Sequence, residues 1–121
     1  MPKILIVDDD ADTRQLLKIR LASQGYETAF AFDAVSAIGV AREQKPDLIL
    51  LDFGLPGGDA VVVMDRLKAF PALAHIPVVV VSARDATATE PRATAAGAEA
   101  YLEKPIDNEA LLGAIRSALG G

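Results

Sequence analysis

Three consecutive carboxylates, Asp8-Asp9-Asp10, close the apolar run Ile4 to Val7, and Asp52 closes the run Leu48 to Leu51. Ser82 closes Ile76 to Val81, and Glu103-Lys104-Pro105 follows Tyr101-Leu102. These are oxygen donors and one amine, with no imidazole or thiol among them, a set that suits Mg²⁺ rather than a softer metal. Two carboxylates about 5 Å apart repel by roughly 3 kcal/mol at an effective dielectric near 20, so three in one place are costly unless a cation joins them. Lys104 relieves part of that repulsion. A dication relieves more, and it lets an anionic phosphoryl group approach a carboxylate. Asp52 then becomes a candidate nucleophile, with Ser82 and Lys104 each able to bind a phosphoryl oxygen.

Such chemistry requires the four segments to end on one edge of a sheet. Ile4 to Val7, Leu48 to Leu51 and Ile76 to Val81 are continuous in Ile, Leu and Val, as expected of parallel strands covered on both faces. Tyr101-Leu102 is a weaker strand, and the more alternating Glu27 to Phe32 suits an edge, giving five. Helical patterns fill the gaps. Leu16, Leu17 and Leu21 recur within Asp12 to Gln24, with Gly25 as a stop. Ala34, Ala37, Ile38 and Ala41 follow a capping Asp33 and run toward Pro46.

Asp59 to Phe70 contains the β-branched run Val61-Val62-Val63, yet the crossover between parallel strands predicts a helix there. The last helix starts at a capping Asp107 and carries Leu111, Leu112, Ile115 and Leu119. Between Ser82 and Glu99 there is no Leu, Ile, Val, Phe or Met, and Pro91 interrupts the segment. Proline belongs in a helix's first turn, so a short, mobile helix from near Glu90 to Gly97 is expected. In an open parallel sheet of this kind, ligands bind at the carboxyl ends of the strands, where the chemistry-bearing residues fall.

The 121 residues are 51% hydrophobic and 24% charged, which predicts one folded domain over residues 1–121 without an effector domain. Twelve basic against 17 acidic residues give a net charge of −5, which disfavours direct nucleic-acid and anionic-membrane contacts. The absence of Cys excludes disulfides and thiol chemistry. No apolar run approaches the length of a membrane span, and none at the N-terminus suits a signal peptide, so a cytoplasmic location is expected.

Five motifs in register resemble the receiver domains of two-component response regulators, of which the chemotaxis response regulator is a familiar stand-alone member. They are Ile4 to Asp10, Pro46 to Asp52, Leu55-Pro56-Gly57, Val80 to Ala83, and Ala96-Gly97-Ala98 through Tyr101 to Pro105. The resemblance covers essentially the whole chain. It implies a flavodoxin-like fold, with helices on both faces of a five-stranded parallel sheet in the order 2-1-3-4-5. It makes Asp52 the phosphoacceptor, Asp8 and Asp9 the acid pair that holds Mg²⁺, and Gly54 a backbone carbonyl ligand.

Ser82 and Lys104 match the family's hydroxyl and lysine, Lys104-Pro105 its cis peptide, and Tyr101 its rotating aromatic switch. The phosphoryl donor implied is a sensor histidine kinase or histidine phosphotransfer protein, and the output is an unidentified downstream protein bound by a monomer or weak dimer. On this reading the chain is a switch that catalyses only its own phosphorylation and dephosphorylation.

Gly54 stands where the family usually has a larger residue, and Gly58 and Ala60 replace a common Met and Gly. Gly54 and Arg84, two residues beyond Ser82, are expected to set the lifetime of the phosphorylated state. A pseudo-receiver acting as an interaction module and an aspartyl-phosphate phosphatase are the alternatives. The intact acid pair, Asp52, Ser82 and Lys104 weigh against the first. Gly54, where such phosphatases commonly carry a second acid, weighs against the other. No phosphate-cradling glycine loop follows the first strand, which disfavours flavin. Asp10 reads as a helix cap, His75 as a loop histidine, and Arg14, Lys18 and Arg20 as a solvated helix face.

Overall fold

The continuous Ile, Leu and Val runs become the middle of a parallel sheet, as their lack of a polar face requires. The computed structural model describes residues 1–83 and 85–120. It orders β1 (Lys3–Val7), α1 (Ala11–Ala22), β2 (Glu27–Ala31), α2 (Ala34–Gln44), β3 (Leu48–Asp52), α3 (Ala60–Lys68), β4 (Val78–Ser82), α4 (Ala86–Ala95), β5 (Ala100–Glu103) and α5 (Asn108–Ala118). The strand order is β2-β1-β3-β4-β5, all parallel. Val7 lies beside Leu51, and Asp52 beside Val81, so Asp8 and Asp52 leave the sheet on the same edge.

Alternation along the strands divides the core in two. Leu5, Val7, Ile49, Leu51, Val78 and Val80 face α2, α3 and α4 through Ala37, Val63, Met64 and Ala93. Ile4, Ile6, Leu48, Leu50 and Val79 face α1 and α5 through Leu17, Leu21, Leu111 and Ile115. Every residue of β3 and β4 is buried, including Asp52 and Ser82 at their ends. A fully buried aliphatic side chain contributes about 1.5–3 kcal/mol, so the strand ends are anchored by the best-packed part of the molecule.

Caps set the helix starts. Asp33 Oδ1 accepts from Ser36 N at 2.7 Å, and Asp107 Oδ2 from Ala110 N at 2.9 Å. Asp59 Oδ1 accepts from both Val61 N and Val62 N, at 3.0 and 3.2 Å. That cap is worth about 1 kcal/mol and works with burial of Val63 and Met64 to offset the valines' weak helix preference.

Several boundaries differ from the sequence reading. β4 starts at Val78, because Pro77 has no N–H to give the ladder. β2 stops at Ala31, leaving Phe32 more than half exposed. The larger difference is α4, which begins at Ala86 rather than near Glu90 and holds Pro91 inside it. Asp85 nucleates it earlier, accepting from Thr87 N at 2.9 Å and from the Thr87 hydroxyl at 2.8 Å. Thr89 and Ala93 supply the buried stripe that its missing large aliphatics cannot. Pro91 removes the helical partner of the Thr87 carbonyl, but Thr87 is exposed and water can serve instead. The end falls where expected: Gly97 adopts φ +104 while Ala98 N donates to Ala93 O at 3.0 Å.

Candidate functional site

The β1–α1 turn aims the first two carboxylates. Asp8 N donates to Ala31 O at 3.1 Å and Asp8 Oδ1 accepts from Asp10 N at 2.9 Å, while Arg14 Nη1 holds the Asp8 carbonyl at 2.7 Å. Asp10 turns away to cap α1. Its Oδ2 accepts from the Thr13 hydroxyl at 2.6 Å, which holds its carboxyl below the ordinary carboxylate value. Asp8 is buried and Asp9 is exposed at the mouth. Oxygens of Asp8, Asp9 and Asp52 all lie within 4.8 Å of one another.

Lys104 enters from the end of β5, where the Lys104–Pro105 peptide is cis. Its Nζ donates to Asp8 Oδ2 at 3.0 Å and pairs with Asp52 Oδ1 at 3.4 Å. Burial raises the Asp52 carboxyl, the Asp8 charge raises it further, and Lys104 only partly opposes them, leaving it pushed up to about 6. Above about pH 6 the Asp52 carboxylate therefore carries its charge. Burial disfavours the Lys104 charge, but the hydrogen bond to Asp8 and the charges of Asp52 and Asp8 outweigh it and hold the amine above its ordinary 10.5.

Ser82 ends β4 next to this group: it is buried, and its carbonyl accepts from Lys104 N at 2.9 Å. Gly54 lies two residues beyond Asp52 in the half-buried loop that leads to α3. Tyr101 packs against the α2–α3–α4 side of the core, and its hydroxyl is hydrogen-bonded to that of Thr89. Since the one Thr89 proton goes to the Asp85 carbonyl at 3.0 Å, Tyr101 is the donor to Thr89. Of the residues picked from the sequence, Asp8, Asp9, Asp52 and Lys104 converge, Ser82 and Gly54 flank them, and Tyr101 faces α4 instead. Arg84 lies outside the described residues.

Two residues escaped the sequence reading. Thr89 is one; Arg92 is the other, pairing with Asp59 Oδ2 at 2.8 Å and lying 5.2 Å above the ring of Phe53, the residue after Asp52. Both sit on α4, whose composition gave no apolar periodicity to place its faces. Their spacing of three could have put them on one side of a helix, had Pro91 not argued against a helix there.

The donor set is entirely oxygen, acid-rich and open on one side through Asp9, which fits a hard dication. Comparisons with known proteins agree. Residues 4–116 match the family model for the response regulator receiver domain. The polar-differentiation response regulator DivK of Brucella anthropi is 38% identical over 121 residues, covering 99% of this chain and 98% of that protein. Several other curated relatives are longer, and the chain spans a quarter to a half of their length.

A putative response regulator from Chloroflexus aurantiacus superposes with TM-score 0.93 at 28% identity, covering 99% of this chain and 98% of that one. The receiver domain of sensor histidine kinase PA1611 from Pseudomonas aeruginosa, with a magnesium ion coordinated in its active-site cleft, superposes with TM-score 0.90 at 25% identity over 99% and 98% of the two chains.

Proposed function

The chain belongs to the response regulator receiver domains of two-component systems, and from that membership we propose that Asp52 accepts a phosphoryl group from a histidine kinase or phosphotransfer protein. The observation that carries this reading is the placement of Lys104 Nζ between Asp8 and a largely ionised Asp52, with the Asp8, Asp9 and Asp52 oxygens gathered within 4.8 Å. Asp8, Asp9, Asp52 and the Gly54 carbonyl would hold Mg²⁺, as the magnesium in the cleft of the PA1611 receiver domain supports. Bound there, the dication supplies charge neutralisation for an incoming phosphoryl group.

The protein's own groups do the rest. Asp52 Oδ attacks phosphorus, the phosphorus–nitrogen bond of the donor histidine breaks, and its electron pair returns to the imidazole. Lys104 holds one phosphoryl oxygen by a charge-assisted hydrogen bond, and the Ser82 hydroxyl donates to another. Drawing Ser82 toward the phosphoryl group shifts the β4–α4 loop, and Tyr101 follows, so the α4–β5–α5 surface changes its affinity for a downstream protein. The switch works on its own carboxylate in the cytoplasm and turns over no separate substrate. Gly54, rather than a second acid, two residues past Asp52 supports that reading over a phosphatase.

Incubation with acetyl phosphate and Mg²⁺ followed by intact-mass measurement tests it. A gain of roughly 80 Da that disappears in Asp52→Asn is expected. No gain, or an equal gain in Asp52→Asn, rejects the acceptor assignment.

A further inference from the structure

At the opposite edge of the sheet, where β3 and β4 begin, a cavity of about 510 Å³ opens between the end of α2 and the α3–β4 connection. That size lies within the range of small-molecule sites, roughly 300–1,000 Å³. Its apolar lining comes from Pro46, Ala72, Leu73 and Ile76, of which Pro46, Leu73 and Ile76 are buried. Its polar lining is Arg42, Lys45, His75 and Asp47.

The charge balance here runs against the molecule's. The chain as a whole carries −5, yet this cavity has two fixed cations against a single carboxylate. That carboxylate accepts a hydrogen bond from Lys3 N at 2.8 Å through Oδ2, and the lining remains net cationic. Among the described residues neither Arg42 nor Lys45 forms an ion pair. Arg42 instead lies over the Phe70 ring, with Cζ 5.0 Å from its centroid, and its guanidinium is paired with no acid among the described residues. Lys45 reaches the cavity from a left-handed backbone at φ 49, directly before Pro46, a combination unfavourable to a side chain of this kind.

We infer that this cavity is a second binding site, for a small organic anion with a flat apolar body. The body lies against Leu73, Ile76 and Pro46. The anionic group, a carboxylate, sulfonate or phosphate ester, meets Arg42 and Lys45, with His75 as a further polar contact. The site shares no residue with the acid cluster and stands independently of the phosphoacceptor reading.

The probe is 1-naphthalenesulfonate, which has the charge and the flat body and carries no phosphoryl group to transfer. It is titrated, without Mg²⁺, into the full isotope-labelled chain while amide resonances are followed. Saturable shifts are expected at the amides of residues 42–45, 47 and 72–76, with half-saturation at about 1 mM or below. Affinity falls roughly fivefold in Arg42→Gln and in Lys45→Gly, the loss of one partly exposed ion pair each. Lys45→Gly relieves the left-handed backbone, so its weaker binding cannot come from unfolding. Uncharged 1-naphthol binds more weakly by a similar factor. Absence of saturable shifts at these amides, equal binding of 1-naphthol, or full affinity in both variants overturns the assignment.

Discussion

Replacing the Asp52 carboxylate should make the metal-free protein more stable. Asp52 is buried against Asp8, and its carboxyl is raised from the ordinary 3.8 to about 6. The folded state therefore binds the Asp52 proton more tightly than the unfolded chain does. By linkage, the ionised side chain destabilises the fold; the effect begins as pH rises through 3.8 and is complete above about 6. A shift of that size corresponds to roughly 3 kcal/mol, and solvent screening at the open mouth reduces it, so Asp52→Asn should stabilise by about 1–3 kcal/mol at neutral pH.

Asparagine keeps the shape, and Lys104 keeps its 3.0 Å bond to Asp8. Thermal unfolding in chelator should show Tm higher in the variant by roughly 4–12 °C. Near pH 4 the two proteins should converge, because Asp52 is then protonated in the folded state. Saturating Mg²⁺ should raise the Tm of the unsubstituted protein more than that of the variant and close the gap. A variant less stable than the parent at neutral pH in chelator, or a gap unchanged between pH 4 and 7.5, would refute this reasoning.

Lys104→Met leaves Asp8 and Asp52 buried together without their shared cation, and should cost about 3 kcal/mol in urea unfolding without Mg²⁺ while slowing acetyl phosphate labelling. Thr89→Val removes the acceptor of the Tyr101 hydroxyl and should cost about 1–2 kcal/mol; Thr89→Ser keeps an acceptor and should restore most of it. The protein has no Trp, so tyrosine fluorescence of these variants reports on Tyr101 against the single background of Tyr26. Gly113→Ala in the middle of α5 should stabilise by about 0.5–1 kcal/mol, because a Cβ there meets no atom within 4 Å; an unchanged urea midpoint would contradict this.

The parts of this molecule that sequence reading resolved are those where one physical signal dominates. Unbroken aliphatic runs can be satisfied only by a sheet covered on both faces, so β1, β3 and β4 and their shared edge followed directly, and with them the meeting of Asp8, Asp9 and Asp52. Aspartate caps located the starts of α2 and α5, and the need for a crossover located α3 to within two residues.

α4 was misplaced because two local signals competed. Pro91 argued against a helix through it, while Asp85 and Thr87 nucleated one upstream by side-chain bonds that no hydrophobic period reveals. The Thr89–Tyr101 and Arg92–Asp59 contacts were hidden for the same reason, since they depend on which way that helix faces. The cationic cavity was hidden by distance: Arg42 lies in the last turn of α2 and His75 in the α3–β4 connection, and only the fold brings them to one opening.

The account stands on Asp52 becoming an acyl phosphate. Treating the protein with acetyl phosphate and Mg²⁺, then with borohydride, converts an aspartyl phosphate to homoserine, a loss of about 14 Da at the modified residue. Peptide mass mapping should place that loss at Asp52 alone, and only when Mg²⁺ was present. The same loss at Asp8 or Asp9, or none anywhere, would contradict the central claim.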